Sequence, residues 1–193
     1  MIDVIVVGAS LGGLEALELL LPALPQLPLP PIVIVQHRGV SEHSHLLHLL
    51  QLHSRWPVRE PDDKDALNAG VVYVAPADYH LLIEDGWAAL STDPPVAYAR
   101  PSIDVLFESA AHCFGARVIA VVLSSSSEDG VAGAIEVRRR GGRVIVQDPL
   151  TAVSPILPRA VLERAGADQV LPVEAMPVWL AATCCLDAAA RQG

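Results

Sequence analysis

The sequence predicts an α/β fold: a doubly wound, mostly parallel sheet with helices on both faces and an inserted antiparallel hairpin. Short β-branched runs alternate with longer segments of helical period, which is the pattern of βαβ units. Val and Ile are continuous within these runs, as expected for strands that helices cover on both faces. One segment departs from the alternation, because Asp85-Gly86 separates two apolar runs and predicts a tight hairpin.

The predicted elements follow from these patterns along the chain. Core strands are expected at residues 3–7, 32–36, 71–74, 117–123 and 143–147, with the hairpin strands at 81–84 and 87–90. Helices are expected at residues 12–21, 43–53, 102–114, 130–140, 158–165 and 174–190. Pro101-Ser102 and Glu174 suit helix N-termini, and the proline-rich stretch 21–31 suits a crossover connection between a helix and a strand.

Composition favours one soluble domain spanning residues 1–193. Of the 193 residues 52% are hydrophobic and 18% are charged, and the formal net charge of -9 argues against a nucleic-acid surface, which needs a clustered basic face. No apolar run reaches the roughly 18 residues of a membrane span, and the N-terminus lacks the features of a signal peptide. Three cysteines without C-x-x-C spacing indicate free thiols. We therefore expect a cytoplasmic protein without membrane insertion.

The segment from Gly8 to Gly13 carries a G-x-S-x-G motif directly after the first predicted strand. This strand-turn-helix arrangement presents one hydroxyl, that of Ser10, as in a nucleophile elbow. The alternative is a phosphate-binding turn, but a Rossmann fingerprint needs glycine where Ser10 stands and an acidic residue after the next strand. That strand ends in Gln36-His37, so we interpret Ser10 as a nucleophile.

A base and a carboxylate follow two other predicted strands. Reactive groups of open α/β sheets collect outside the carboxyl ends of the strands, where His37 and Asp129 both stand. We interpret His37 as the base and Asp129 as the group that orients it. Structural roles stay open for both, since His37 suits a strand end and Asp129 suits a helix N-cap. Backbone N–H groups of the loop 124–127 could line an oxyanion hole.

Several other histidines raise the question of a metal site. Of the four histidines between residues 43 and 53, His45 and His48 share a predicted helix face. No nearby carboxylate or cysteine completes a ligand set in the sequence, so no metal site is predicted.

Taken in order, several motifs along the chain resemble one family. They are the segments 8–13, Gln36-His37, 73–80, 100–107, 129–133 and Pro158-Arg159. Together they resemble the catalytic domain of the CheB-type chemotaxis protein-glutamate methylesterases. The resemblance implies Ser10 as nucleophile, His37 as general base and Asp129 as its orienting acid. It also implies a substrate, the methyl-esterified glutamate side chains on the cytoplasmic helices of methyl-accepting chemotaxis proteins, and some family members also deamidate glutamine.

The mechanism implied by the resemblance is acyl transfer in two steps, which needs no cofactor. Methanol leaves when the nucleophilic oxygen attacks the ester, and water then hydrolyses the acyl-enzyme. Backbone N–H groups near Leu11 and Ser126 are expected to hold the oxyanion. Arg100 is a candidate for contacting the acidic neighbourhood of a receptor glutamate, because the protein as a whole is acidic.

The chain departs from the family pattern at several positions. Leu11 stands where the family usually has threonine, residues 125–128 replace a usual Gly-Met-Gly, and Ile156-Leu157 replaces a usual Gly-Met. No receiver domain precedes the first strand, so we expect a regulator supplied in trans, or an excised domain. Two further functions stay open: a non-catalytic adaptor of the same fold, and an esterase or deamidase with another substrate.

Overall fold

A computed structural model of the protein describes residues 2–25, 29–38 and 43–189. Within these residues the main sheet has seven strands in the order β3-β4-β2-β1-β7-β8-β9, and every neighbouring pair is parallel. The strands are β1 (Val4–Ala9), β2 (Ile32–Gln36), β3 (Val58–Arg59), β4 (Val72–Val74), β7 (Val118–Val122), β8 (Arg143–Gln147) and β9 (Gln169–Leu171).

Helices cover both faces of this sheet, as the continuous Val and Ile runs predict. They are α1 (Gly13–Leu20), α2 (His43–His53), α3 (Ile103–Phe114), α4 (Val131–Arg139), α5 (Ile156–Arg164) and α6 (Met176–Ala189). Alternate residues of β1 belong to two separate cores. Val4 and Val6 pack in the core that includes α3, α4 and α5, whereas Ile5 and Val7 pack with α1, α2 and α6. The predicted doubly wound architecture is thereby confirmed.

The predicted hairpin is also present. It consists of β5 (His80–Glu84) and β6 (Trp87–Ser91), which pair antiparallel. Asp85 and Gly86 form its turn with φ values of 50° and 86°, the left-handed backbone that an Asp-Gly turn supplies. The hairpin packs on α3, where the backbone N–H of Ile83 donates to Ser109 Oγ over 3.1 Å.

The structure differs from the sequence expectation mainly at the sheet edges and at two helix starts. Strands β3 and β9, of two and three residues, were not predicted, because such short edge strands carry no readable period. Helix α5 begins at Ile156, two residues early, since Pro158 lies in its first turn, where no backbone donor is required. Helix α6 begins at Met176 after the short 3₁₀ turn Val173–Ala175. Residue 190, the predicted end of α6, lies outside the described residues.

The strand order places a crevice at the centre of the sheet. Strand β1 pairs with β2 on one side and with β7 on the other. The chain first builds β2, β3 and β4 on one side of β1 and later builds β7, β8 and β9 on the other side. Open α/β sheets bind ligands at such a switch point, outside the carboxyl ends of the strands. Among the residues described, no helix is long and apolar enough to cross a membrane.

Candidate active site

Ser10 stands one residue beyond β1, in a turn whose backbone is fixed from three directions. Its N–H donates to the carbonyl of Ser124 over 2.9 Å, and its own carbonyl accepts from Gly13 N–H and from Gln36 Nε2, each over 2.8 Å. Gly12 has φ +76°, and a Cβ there would lie 2.4 Å from Val153 and 2.6 Å from Ser124 Oγ. Glycine is therefore required at this position, both by the backbone conformation and by the packing.

His37 follows β2 and contacts the carboxylate that follows β7. Its backbone N–H donates to the Ala9 carbonyl over 2.9 Å, so the ladder between β1 and β2 extends to this residue. Its Nε2 lies 2.7 Å from Asp129 Oδ2, and the imidazole is 15% exposed. The pairing that sequence reasoning predicted between these two side chains is present. Within the described residues, no hydrogen bond joins the Ser10 hydroxyl to the imidazole; such bonds are often long in unliganded enzymes.

Asp129 is buried and accepts hydrogen bonds from the first residues of α3. Oδ1 accepts from Ser102 Oγ over 2.7 Å and from Asp104 N–H over 3.0 Å. Oδ2 accepts from Ile103 N–H over 2.7 Å in addition to His37. Burial alone would raise the pKa of the Asp129 carboxyl, but the hydrogen bonds from His37 and the α3 residues outweigh it and lower that pKa. The carboxylate is thus held ionised at a helix N-terminus.

Asp104 completes a reciprocal arrangement between α3 and α4. Its Oδ1 accepts from the N–H groups of Gly130 and Gly133 over 2.9 and 2.7 Å, so α3 caps the helix that follows Asp129. Burial, partly offset by these two amides and reinforced by the negative charge of Asp129, raises the pKa of Asp104 to about 6. The two helices therefore fix the loop that carries Asp129 from both sides.

Replacing Asp104 by alanine is expected to lower the free energy of unfolding by roughly 2–4 kcal/mol, because two buried helix amides lose their acceptor. Asp104→Asn keeps an acceptor oxygen and should cost less. Urea unfolding of both variants and of the unchanged protein measures these differences. Equal stability of Asp104→Ala and the unchanged protein would contradict the capping role.

The same carboxyl predicts a pH dependence with a defined sign. The folded protein keeps the Asp104 proton up to about pH 6, whereas the unfolded chain loses it near the ordinary value of 3.8. The folded state binds more protons between these limits, so the contribution of Asp104 to stability falls as pH rises through this window and is constant above it. Asp104→Asn should remove that slope from urea-unfolding data collected between pH 4 and 7, whereas an unchanged slope would exclude Asp104 as its source.

The loop after β7 is more ordered than its serine-rich sequence suggests. Ser124 and Ser125 are fully buried, and Ser124 Oγ donates to the Leu11 carbonyl over 2.7 Å and accepts from Ser154 N–H over 2.8 Å. Ser126 is exposed, and Leu11 is 58% exposed beside the serine turn. Both residues predicted near an oxyanion hole therefore lie at the open edge of the sheet.

Arg100 lies near the site, but other protein groups hold its guanidinium. Nε and Nη2 donate to Asp78 Oδ1 over 3.0 and 2.5 Å, and Nη1 donates to the carbonyls of Thr92 and Asp93 over 2.9 and 3.1 Å. These four hydrogen bonds tie the end of the hairpin to the segment before α3. A direct role for Arg100 in substrate binding stays a prediction.

Sequence reasoning assigned no role at the site to Ser102 or Asp104. The signal was present, since Ser102 follows proline at a predicted helix start and an N-terminal turn offers free N–H groups. The sequence did not show which carboxylate would accept hydrogen bonds from those N–H groups. Among the described residues, no cluster of three or more His, Cys, Asp or Glu could hold a metal ion.

Comparison with known proteins gives the family. The model of the family described as CheB methylesterase matches residues 5–180. The chain belongs to the CheB methylesterase family. The crystal structure of the Thermotoga maritima CheB methylesterase catalytic domain superposes with a TM-score of 0.88 at 34% identity, covering 93% of this chain and 97% of that one. The predicted fold and the resemblance are thereby confirmed, as is the enzyme class at the level of the family.

Two relatives differ in the share of their own length that this chain covers. A Leptospira interrogans protein is 40% identical over 173 residues, which are 89% of this chain and 90% of that protein. An Anaeromyxobacter dehalogenans protein, named protein-glutamate methylesterase/protein-glutamine glutaminase 2, is 40% identical over 176 residues, which are 91% of this chain but 52% of that protein. The chain thus matches nearly all of one relative and about half of the other.

Proposed function

We propose that this chain is a serine esterase that hydrolyses glutamate γ-methyl esters on chemoreceptor cytoplasmic helices and releases methanol. Ser10 is the nucleophile, His37 the general base and Asp129 the carboxylate that orients the base. The observation that carries the proposal is the 2.7 Å contact between His37 and Asp129 at the sheet edge where Ser10 follows β1. Family membership supplies the ester class, and the relative named methylesterase/glutaminase supports a second reaction, glutamine deamidation.

The contact with Asp129 decides which imidazole nitrogen acts as the base. An ionised carboxylate only accepts hydrogen bonds, so Nε2 carries the proton that is donated to Asp129. Nδ1 is then the unprotonated nitrogen that takes the proton of the Ser10 hydroxyl. The roles of the two nitrogens are the reverse of those in the chymotrypsin triad, where Nδ1 faces the aspartate and Nε2 faces the serine.

This assignment predicts the tautomer of His37 in solution. In ¹⁵N-labelled protein at a pH where the imidazole is neutral, Nε2 is expected to carry the proton and Nδ1 to show the shift of an unprotonated nitrogen. Nitrogen-proton correlation spectra of the unchanged protein, with His37→Ala to assign the signals, measure it. A protonated Nδ1 in the neutral ring would contradict the proposed base.

The developing negative charge of the tetrahedral intermediate needs hydrogen-bond donors near Ser10. We place the backbone N–H groups of Leu11 and Ser126 in this role, because they flank the serine turn and the loop after β7. Within the described part of the chain, neither N–H is seen to donate a hydrogen bond to another group. Both remain free to face the substrate oxygen.

The reaction then proceeds in two steps with the same groups. Ser10 Oγ attacks the ester carbonyl as Nδ1 takes its proton, and that proton passes to the departing methanol oxygen. Water then attacks the acyl-enzyme, His37 takes a proton from it, and Ser10 leaves as the hydroxyl. With a glutamine side chain the same sequence releases ammonia in place of methanol. We propose that this catalytic domain acts in the cytoplasm.

Methanol release from methylated chemoreceptor cytoplasmic fragments tests the substrate. The full chain should release methanol well above the background of Ser10→Ala, and a fluorophosphonate should label Ser10. Labelling and hydrolysis of simple esters without release from the receptor fragment would mean an esterase with another substrate. Absence of both labelling and release would leave a non-catalytic member of the family.

A further inference from the structure

A polar cleft lies beside His37. Its volume is about 320 Å³, and it is lined by His37, Arg38, Tyr98, Ala99, Arg100 and Pro101. Two of these residues are arginines, and none of the described residues in this lining is acidic. Both arginines pair with carboxylates outside this lining, Glu60 and Asp78, so an anionic occupant depends on which guanidinium N–H groups those pairs leave without an acceptor.

Arg38 is the buried cation of this cleft. Its side chain is only 2% exposed. Its Nη2 group donates to the carboxylate of Glu60 and, over 3.0 Å, to the carbonyl of Ala75. These bonds attach the guanidinium to the ends of β3 and β4 and fix its orientation.

The remaining donors of Arg38 have no acceptor. A guanidinium carries five N–H groups, and the two on Nη2 serve Glu60 and Ala75. Nε and Nη1 are buried and meet no hydrogen-bond partner among the described residues, which leaves three N–H groups unsatisfied. Buried donors without acceptors cost free energy, and the group that matches a planar guanidinium best is a carboxylate. Arg100 differs, because its donors already serve Asp78 and two carbonyls.

We propose that Arg38 binds the carboxylate of an acidic side chain that flanks the esterified glutamate on the substrate helix. This inference rests on the proposed function and adds a specificity subsite to it. The Arg38 guanidinium bonds the Ala75 carbonyl just beyond β4. Strand β2 lies between β4 and β1, the strand that leads to Ser10, so two strand spacings, roughly 10 Å, separate the two strand ends. Side chains two turns apart on a helix, at positions i and i+7, have a similar separation of roughly 10.5 Å.

The test varies the substrate before it varies the enzyme. Receptor cytoplasmic fragments would carry one methyl ester and, two helical turns away, either glutamate or glutamine. The unchanged protein should show a kcat/KM for methanol release that is about 10- to 100-fold higher with the flanking glutamate, mainly through a lower KM. No preference for the flanking glutamate would overturn the proposal.

Two variants of Arg38 test whether this residue causes the preference for the flanking glutamate. Arg38→Gln should bring the kcat/KM values for the two fragments to within about twofold of each other. Arg38→Lys, which keeps the charge beside Glu60, should reduce the preference only in part. Arg117→Gln is the matched control, since Arg117 pairs with Asp3 at the opposite end of β7 and its loss should leave the preference intact. A full preference in Arg38→Gln would assign the selectivity to another group and overturn the proposal.

Equilibrium binding separates this inference from the proposed function. In the Ser10→Ala background, the fragment with the flanking glutamate should bind about tenfold more tightly than the fragment with glutamine, and adding Arg38→Gln should abolish the difference. If the unchanged protein released no methanol from any fragment, the proposed function would fail while this measurement still decided the subsite. Equal binding of the two fragments to Ser10→Ala would exclude a carboxylate subsite at Arg38.

Discussion

Replacing Ser10 by alanine is expected to lower kcat for methanol release by on the order of 10⁶-fold, because the acyl-enzyme of the proposed mechanism forms on the Ser10 oxygen. The fold should be preserved. The serine turn is held by the Ser10 backbone N–H and carbonyl, which alanine retains, and by the glycines at positions 12 and 13. Methanol release under saturating receptor fragment measures the loss, and urea unfolding shows whether stability is retained.

Ser54→Ala provides the matched control for this variant. Ser54 lies in the turn after α2, where its Oγ donates to the Trp56 carbonyl and accepts from the Trp56 N–H, so the same chemical change is made away from the sheet edge. Its kcat should equal that of the unchanged protein. A Ser10→Ala protein that kept more than a hundredth of the activity would exclude Ser10 as the nucleophile, and the hydrolysis would then need another acceptor group.

The positions of Ser10, His37 and Asp129 could be predicted because each follows a strand. A parallel sheet brings the carboxyl ends of its strands to one edge, so residues far apart in sequence meet there whatever their exact register. The strands themselves were readable from continuous Val and Ile runs, since burial on both faces removes the usual alternation. The short edge strands β3 and β9 were not predicted, because two or three residues carry no such run.

The surroundings of the predicted residues could not be predicted in the same way. Sequence reasoning expected Arg100 to be available to substrate, yet Asp78, 22 residues earlier, accepts two of its hydrogen bonds. It attributed nothing to Arg38, whose unsatisfied donors result from the burial of one side chain between three strand ends. Such pairings depend on side-chain directions after packing, which periodicity does not encode.

Replacing Asp129 by asparagine is expected to lower kcat by about 10⁴-fold while leaving Ser10 in place. All four groups around the carboxylate are hydrogen-bond donors, and asparagine replaces one acceptor oxygen by an NH₂ group. An NH₂ group at the Oδ2 position meets the N–H of Ile103, so two donors face each other there. It also favours the His37 tautomer in which Nε2 is unprotonated and accepts a hydrogen bond from that NH₂ group. Nδ1 then carries the proton and can no longer act as the base.

The opposite amide orientation places the NH₂ at the Oδ1 position, where it opposes the N–H of Asp104 and displaces the loop that holds the base. Either orientation leaves a buried donor unpaired, so the variant should also lose about 1–3 kcal/mol of unfolding free energy. Fluorophosphonate labelling should slow in parallel with kcat, because both reactions need an activated Ser10. Asp104→Asn, which retains an acceptor oxygen for its two amides, should stay within about tenfold of the unchanged protein. Comparable losses in both variants would mean that the Asp129 charge acts through helix packing and not through His37.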